Sequence, residues 1–145
     1  MADFYVQVGD QVNFSKTVGE SDIYLFAGIT GDFSASHVNE EYMKKSAYGR
    51  RIAQGGLMIG FMSTASSIMI DKSAKSDMNH TPVSLGFDRI RFISPVYIND
   101  TINVTYRVKS VEQEGRRSRS DVTVTNQAGE TVATGEHILQ WIPNI

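Results

Sequence analysis

The sequence predicts an α+β domain built from an antiparallel sheet and one long helix. Period-2 alternation dominates its second half. The stretch TINVTYRV sets Ile102, Val104, Tyr106 and Val108 on one face and Thr101, Asn103, Thr105 and Arg107 on the other, the pattern of a half-buried strand. Residues 52–70, IAQGGLMIGFMSTASSIMI, carry no charge, so a helix there is expected to be enclosed by other elements. The chain has 145 residues and 41% hydrophobic content, one domain's worth with enough apolar side chains for a core. Residues 1–145 are therefore read as a single domain.

Taken in order, DQVNFSKTV alternates Val12 and Phe14 with polar neighbours and reads as a short strand. ESDIYLFAGITG opens on Ser21 or Asp22 as N-cap. It carries Ile23, Phe26 and Ala27 at helical spacing and closes on Gly31 as the terminating glycine. A polar loop holding Asp32 and His37 follows. Asn39 then caps a short helix with Glu40 and Glu41 in its first turn and Lys44 and Lys45 in its last, an order that suits the helix dipole. The uncharged helix begins near Gly55 and runs to Ile70. Beyond it, VSLGFDRIRFISP is a strand whose apolar face passes from Leu85 and Phe87 to Ile90 and Phe92. Its parity switches near Asp88, so a bulge is expected there. RSDVTVTNQAGETVATGEHIL supplies two strands joined by a turn at 126–129. About five mostly antiparallel strands wrapped around a central helix make the arrangement called a hot-dog fold. A small sheet with open edges favours pairing with a second copy.

Composition narrows the function. Net charge is −2, and the only dense basic cluster is GRRSRSD at 115–121, so no nucleic-acid partner is expected. Arg116, Arg117 and Arg119 of that cluster read as a solvated hairpin. There is no cysteine, which removes disulfides, thiolate metal sites and a cysteine nucleophile, and suits a reducing compartment. MADFYVQVGDQ has neither a basic n-region nor an apolar h-region, and WIPNI carries no peroxisomal or lipidation signal; a cytoplasmic location is expected. The uncharged segment is nearly long enough to span a bilayer. Gln54, two adjacent glycines and four Ser or Thr in its second half make it a core helix instead, and no membrane partner is expected. No metal-ligand spacing and no phosphate loop occur, so neither a metal nor a cofactor is expected.

The chemistry lies in FAGITGDFSASHVNEEY. Asp32 and His37 stand five positions apart. Their structural reading is an Asx-turn at Asp32 and a histidine bonded to backbone carbonyls. Their catalytic reading rests on the surroundings. Of three histidines, His37 is the one beside an acid in a loop. The loop leads to AQGG, where Gly55 and Gly56 permit close backbone approach. The first N–H groups of a helix lack intrahelical partners and carry positive dipole character, so an oxyanion fits there. Ser63 lies two turns further on, and a hydroxyl in an apolar helix needs a partner. An acid, a histidine and a helix-end carbonyl site suit addition of water to a double bond conjugated with a carbonyl. One group takes a proton from water and another delivers a proton to the carbon beside the carbonyl. Fixed N–H donors stabilise the enolate-like transition state.

FAGITGDFSASHVNEEYMKKSAYGRRIAQGGL resembles the MaoC-like dehydratases, and within them the (R)-specific enoyl-CoA hydratases: an F-A-x-x-[ST]-G-D-x-x-x-x-H core followed by a glycine-led helix. RFISPVYINDTI is similar to the family's R-F-x-x-P-V…D-T strand, and ATGEH to its last strand. The resemblance covers nearly the whole chain. It implies that Asp32 and His37 are the catalytic pair, that Gly55 offers its amide to a thioester carbonyl, and that Ser63 helps orient the pair. It also implies a hot-dog dimer, or a dimer-based higher oligomer, acting on acyl thioesters of coenzyme A, with the thioester as substrate and no cofactor. Two departures stand out. Ser34-Ala35 replaces a common Asn-Pro, and Arg51 and Gln54 occupy the Pro and His positions of R-P-x-x-H-G.

Phe33, Tyr48, Gln54 and Gly56 are counted as candidate substrate contacts, with core packing as the structural reading of Phe33 and Tyr48. Met58, Met62 and Met69 read as core. His80 and His137 read as structural, in a turn and a strand respectively. Two competing functions remain: a non-catalytic acyl-CoA-binding domain, and a thioesterase. The latter typically carries an acid on the central helix, and 53–70 holds no Asp or Glu.

Overall fold

The computed structural model describes residues 4–73 and 79–145. Five strands form one antiparallel sheet: β1 (Gln11–Thr17), β2 (His80–Phe92), β3 (Thr101–Glu112), β4 (Arg117–Thr125) and β5 (Thr131–Pro143), in the order β1-β3-β4-β5-β2. Among the described residues, four helices lie between β1 and β2: α1 (Glu20–Thr30), α2 (Ala35–Val38), α3 (Glu40–Met43) and the long α4 (Gly55–Ser73). This is the expected α+β hot-dog fold. Alternation is obeyed on β3, where Ile102, Val104, Tyr106 and Val108 are all buried. They meet Val122 and Val124 of β4 and Leu139 and Trp141 of β5 in one core.

Helix α4 packs on this sheet through Met58, Phe61, Met62, Ala65, Ser66 and Met69. It is not enclosed all round: Gly60, Ser63 and Ser67 are exposed. The missing charge reflects small and hydroxylic residues on the outer side, which face water at little cost. The buried hydroxyl is Ser66, and its Oγ donates to the Ser63 carbonyl at 2.7 Å. The partner that a hydroxyl in an apolar helix requires is thus the helix's own backbone.

Local details refine the expectations. The N-cap of α1 is Gly19, two or three residues earlier than Ser21 or Asp22. Asp22 still serves this end, its Oδ2 accepting from the Gly19 N–H at 2.8 Å. Gly31 ends α1 with φ +84°, a left-handed conformation that suits glycine. Asn39 caps α3 as expected, accepting from the Tyr42 N–H at 3.0 Å. The bulge in β2 lies between Asp88 and Arg91, with Arg89 at φ +56°. A second irregularity between Ser84 and Gly86 turns Leu85 outward. Phe87 and Ile90 pack on the core, while Leu85 and Phe92 are exposed. His80 begins β2 instead of lying in a turn.

Candidate active site

The loop between α1 and α3 holds both halves of the predicted pair. Asp32 follows the glycine that ends α1, and His37 lies in the short α2. Asp32 Oδ1 accepts from the Ser34 N–H at 3.3 Å, so the Asx-turn is present. His37 Nδ1 lies 2.7 Å from the Ile52 carbonyl, so the backbone bond is present too. Neither excludes the pairing: Asp32 Oδ2 stands 3.9 Å from His37 Nε2. A carbonyl only accepts, so Nδ1 carries the proton and, in the neutral ring, Nε2 holds the lone pair. Nε2 then faces two oxygens, Asp32 Oδ2 at 3.9 Å and the Ser36 hydroxyl at 3.5 Å, and as an acceptor it takes a proton from a hydroxyl or a water, not from the carboxylate. The His37 side chain is 13% exposed and that of Asp32 45%, so the histidine is held in the wall while the carboxylate meets solvent.

A cavity of about 240 Å³ adjoins the histidine, lined by His37, Tyr48, Gly55, Met58, Phe92 and Val132 among others. Gly55 starts α4 at this wall, and its N–H is among those without an intrahelical partner. A side chain at this glycine would displace a neighbouring ring. A Cβ there would fall 2.7 Å from the Phe92 ring, and one at Gly56 would fall 2.7 Å from the tip of Phe26. The close approach at both positions is thus made by aromatic rings of the protein itself.

The other candidates divide. Tyr48 is half exposed and lines the cavity. Phe33 is 60% exposed; neither is core, contrary to their structural reading. Gln54 is buried, its Nε2 donating to the Ile23 carbonyl at 3.0 Å, which ties α1 to the start of α4. Gln54, Gly56, Ser63 and Phe33 are not on the cavity wall, and neither is Asp32. Met58, Met62 and Met69 are buried as expected. Sequence reasoning missed the Ile52 carbonyl, which fixes the ring of His37, and Phe92, which covers Gly55.

Arg119 of the basic cluster is ion-paired. Arg119 bridges Asp88 at 3.2 Å and Glu136 at 3.1 Å, and Lys109 reaches Glu136 at 2.7 Å. These cations, Lys109 foremost, hold the Glu136 carboxyl below its ordinary value against the opposing cost of burial. His137 is fully buried, with Nδ1 2.7 Å from the Tyr106 hydroxyl and Nε2 2.7 Å from Ser84 Oγ. Burial pushes its pKa down to about 4 and that of Tyr106 up to about 12. No described helix is long and apolar enough to cross a membrane.

Residues 3–132 match the MaoC like domain. The chain is 33% identical to an (R)-specific enoyl-CoA hydratase of Rhodospirillum rubrum over 131 residues, 90% of this chain and 85% of that protein. It is 27% identical to a 3-hydroxybutyryl-CoA dehydratase of Methylorubrum extorquens over 135 residues, 93% of this chain and 80% of the other. Among solved structures, the unliganded R-hydratase of Pseudomonas aeruginosa aligns with a TM-score of 0.81 at 27% identity, over 96% of this chain and 84% of that one. These relatives make the chain a hydro-lyase, and it belongs to the MaoC-like domain family.

Proposed function

We propose that this chain is an (R)-specific enoyl-CoA hydratase, adding water reversibly to a trans-2-enoyl-CoA to give the (R)-3-hydroxyacyl-CoA. One observation carries the reading: the His37 ring is anchored through Nδ1 to Ile52, leaving Nε2 to face Asp32 at 3.9 Å beside a cavity that reaches the start of α4. Asp32 and His37 would hold one water between them. As the water oxygen bonds to C3, a member of the pair takes one of its protons, and a proton is delivered to C2. The thioester oxygen gains charge in that step, and the Gly55 N–H, aided by the α4 dipole, would stabilise it. Tyr48 would border the acyl group, with Gly56 and Gln54 shaping the helix start. Ser63 and Phe33 are open on the isolated chain, so their contribution would come at the face of a homodimer.

A panel of trans-2-enoyl-CoAs of graded length, with chiral analysis of the products, tests this. The expected result is hydration to the (R) alcohol without release of free CoA. Saturable binding without turnover would instead support an acyl-CoA-binding domain. Release of free thiol would mark a thioesterase.

A further inference from the structure

We propose that Arg51 is a positioning residue for the Asp32–His37 pair, acting through the Ile52 carbonyl that holds the His37 ring. Arg51 does not itself line the cavity, and the inference of its catalytic consequence rests on the hydratase reading above. Its side chain is only 11% exposed and all three arms of the guanidinium are used. Nη2 donates to Glu20 Oε1 at 2.6 Å, Nη1 to the Tyr24 hydroxyl at 2.8 Å, and Nε to Glu40 Oε2 at 2.8 Å. The Tyr24 hydroxyl in turn donates to Glu20 Oε1 at 2.9 Å. Arg51 and then Tyr24 hold the Glu20 carboxyl below its ordinary value.

These partners are the anchor points of the pair. Glu20 and Tyr24 belong to α1, whose end delivers Asp32. Glu40 opens α3, three residues beyond His37. Arg51 itself directly precedes Ile52. The Ile52 N–H donates to the Ser36 carbonyl at 3.0 Å while the Ile52 carbonyl accepts from His37 Nδ1 at 2.7 Å. On the other side, the Ala53 N–H donates to the Val96 carbonyl at 2.7 Å. A single planar guanidinium therefore joins α1, α3 and the strap that sets the His37 tautomer. Glu20 and Glu40 are themselves 50% and 42% exposed, and ion pairs of that kind add little to stability. What the clamp supplies is geometry, and small displacements of a catalytic group are costly to rate.

The test is Arg51→Ala, read in two independent ways. At a pH where His37 is neutral, imidazole nitrogen NMR, with the signals assigned by loss in His37→Gln, reports which nitrogen carries the proton. Wild type is expected to show a protonated Nδ1 and a bare Nε2, and Arg51→Ala a mixture of tautomers. Hydration of crotonyl-CoA is expected to fall roughly ten- to hundredfold in kcat, with KM within about threefold and the melting temperature nearly unchanged. Arg51→Lys, which keeps the charge but not the three-armed geometry, should recover part of the loss. A wild-type tautomer and rate in Arg51→Ala overturn the proposal. If Arg51→Ala fails to fold, Glu40→Gln and Glu20→Gln carry the test, and an unshifted tautomer in both overturns it. Should wild type prove inactive on every enoyl-CoA, the hydratase reading fails while the NMR result still decides the role of Arg51.

Discussion

His37 and His137 are the same side chain in opposite settings. His37 sits at a cavity wall with Nδ1 on a backbone carbonyl and Nε2 toward a carboxylate at 3.9 Å. His137 lies in the middle of the sheet with both nitrogens taken by hydroxyls at 2.7 Å, and burial holds it neutral. A histidine moves protons when one nitrogen is fixed and the other is open to a water and a charge. When both are consumed by neutral partners, it becomes a polar strut. On the proposed function, partner chemistry, more than the histidine itself, separates the two roles.

The contrast breaks most visibly under exchange of variants. His37→Gln is expected to lower crotonyl-CoA turnover by about 10²- to 10⁴-fold with little change in melting temperature. His137→Leu is expected to do the reverse. It removes the buried partner of the Tyr106 and Ser84 hydroxyls, costing about 1–3 kcal/mol, read as a melting temperature several degrees lower with kcat retained.

Acid sharpens it next. The unfolded chain takes up a proton at His137 near pH 6.5, the folded chain only near pH 4. Between these values the unfolded state binds more protons, so stability is full above about pH 6.5 and is lost as pH falls toward 4. The loss is on the order of 3 kcal/mol. Urea unfolding of wild type and His137→Leu across this range should show that component only in wild type.

The smallest expected effects separate the two glycines. Gly56→Ala pushes on the partly buried Phe26 and should cost about 1–3 kcal/mol as overpacking, measured by thermal melting. Gly55→Ala pushes on Phe92, which is 55% exposed. Stability should change by less than about 1 kcal/mol while kcat/KM drops, and adding Phe92→Leu should restore part of it.

Much of this was legible in the sequence, for identifiable reasons. β3 was readable because a half-buried strand writes its faces in alternate residues. Gly31 was readable because only a left-handed turn demands glycine there. The loop was readable as a candidate site because an acid and a histidine precede a glycine-led helix. Other features left no such trace. Asp22 serves the start of α1 from inside the first turn, and a carboxylate looks the same at either position. The buried hydroxyl on α4 belongs to Ser66, since serines three apart share a face closely enough that composition alone does not set the phase. The Ile52 carbonyl could not be read at all, because every residue has one and only the fold selects which faces His37. The clamp on Arg51 joins four residues from three separate segments, a relation that no local pattern encodes.

The central claim is that Asp32 and His37 act as one unit on an enoyl thioester. Crotonyl-CoA hydration by Asp32→Asn, His37→Gln and the double variant measures this directly, with circular dichroism to show that each is folded. Each single change should cost about 10²- to 10⁴-fold, and the double variant should be only a few-fold worse than the poorer single. Wild-type rates in both single variants would contradict the account.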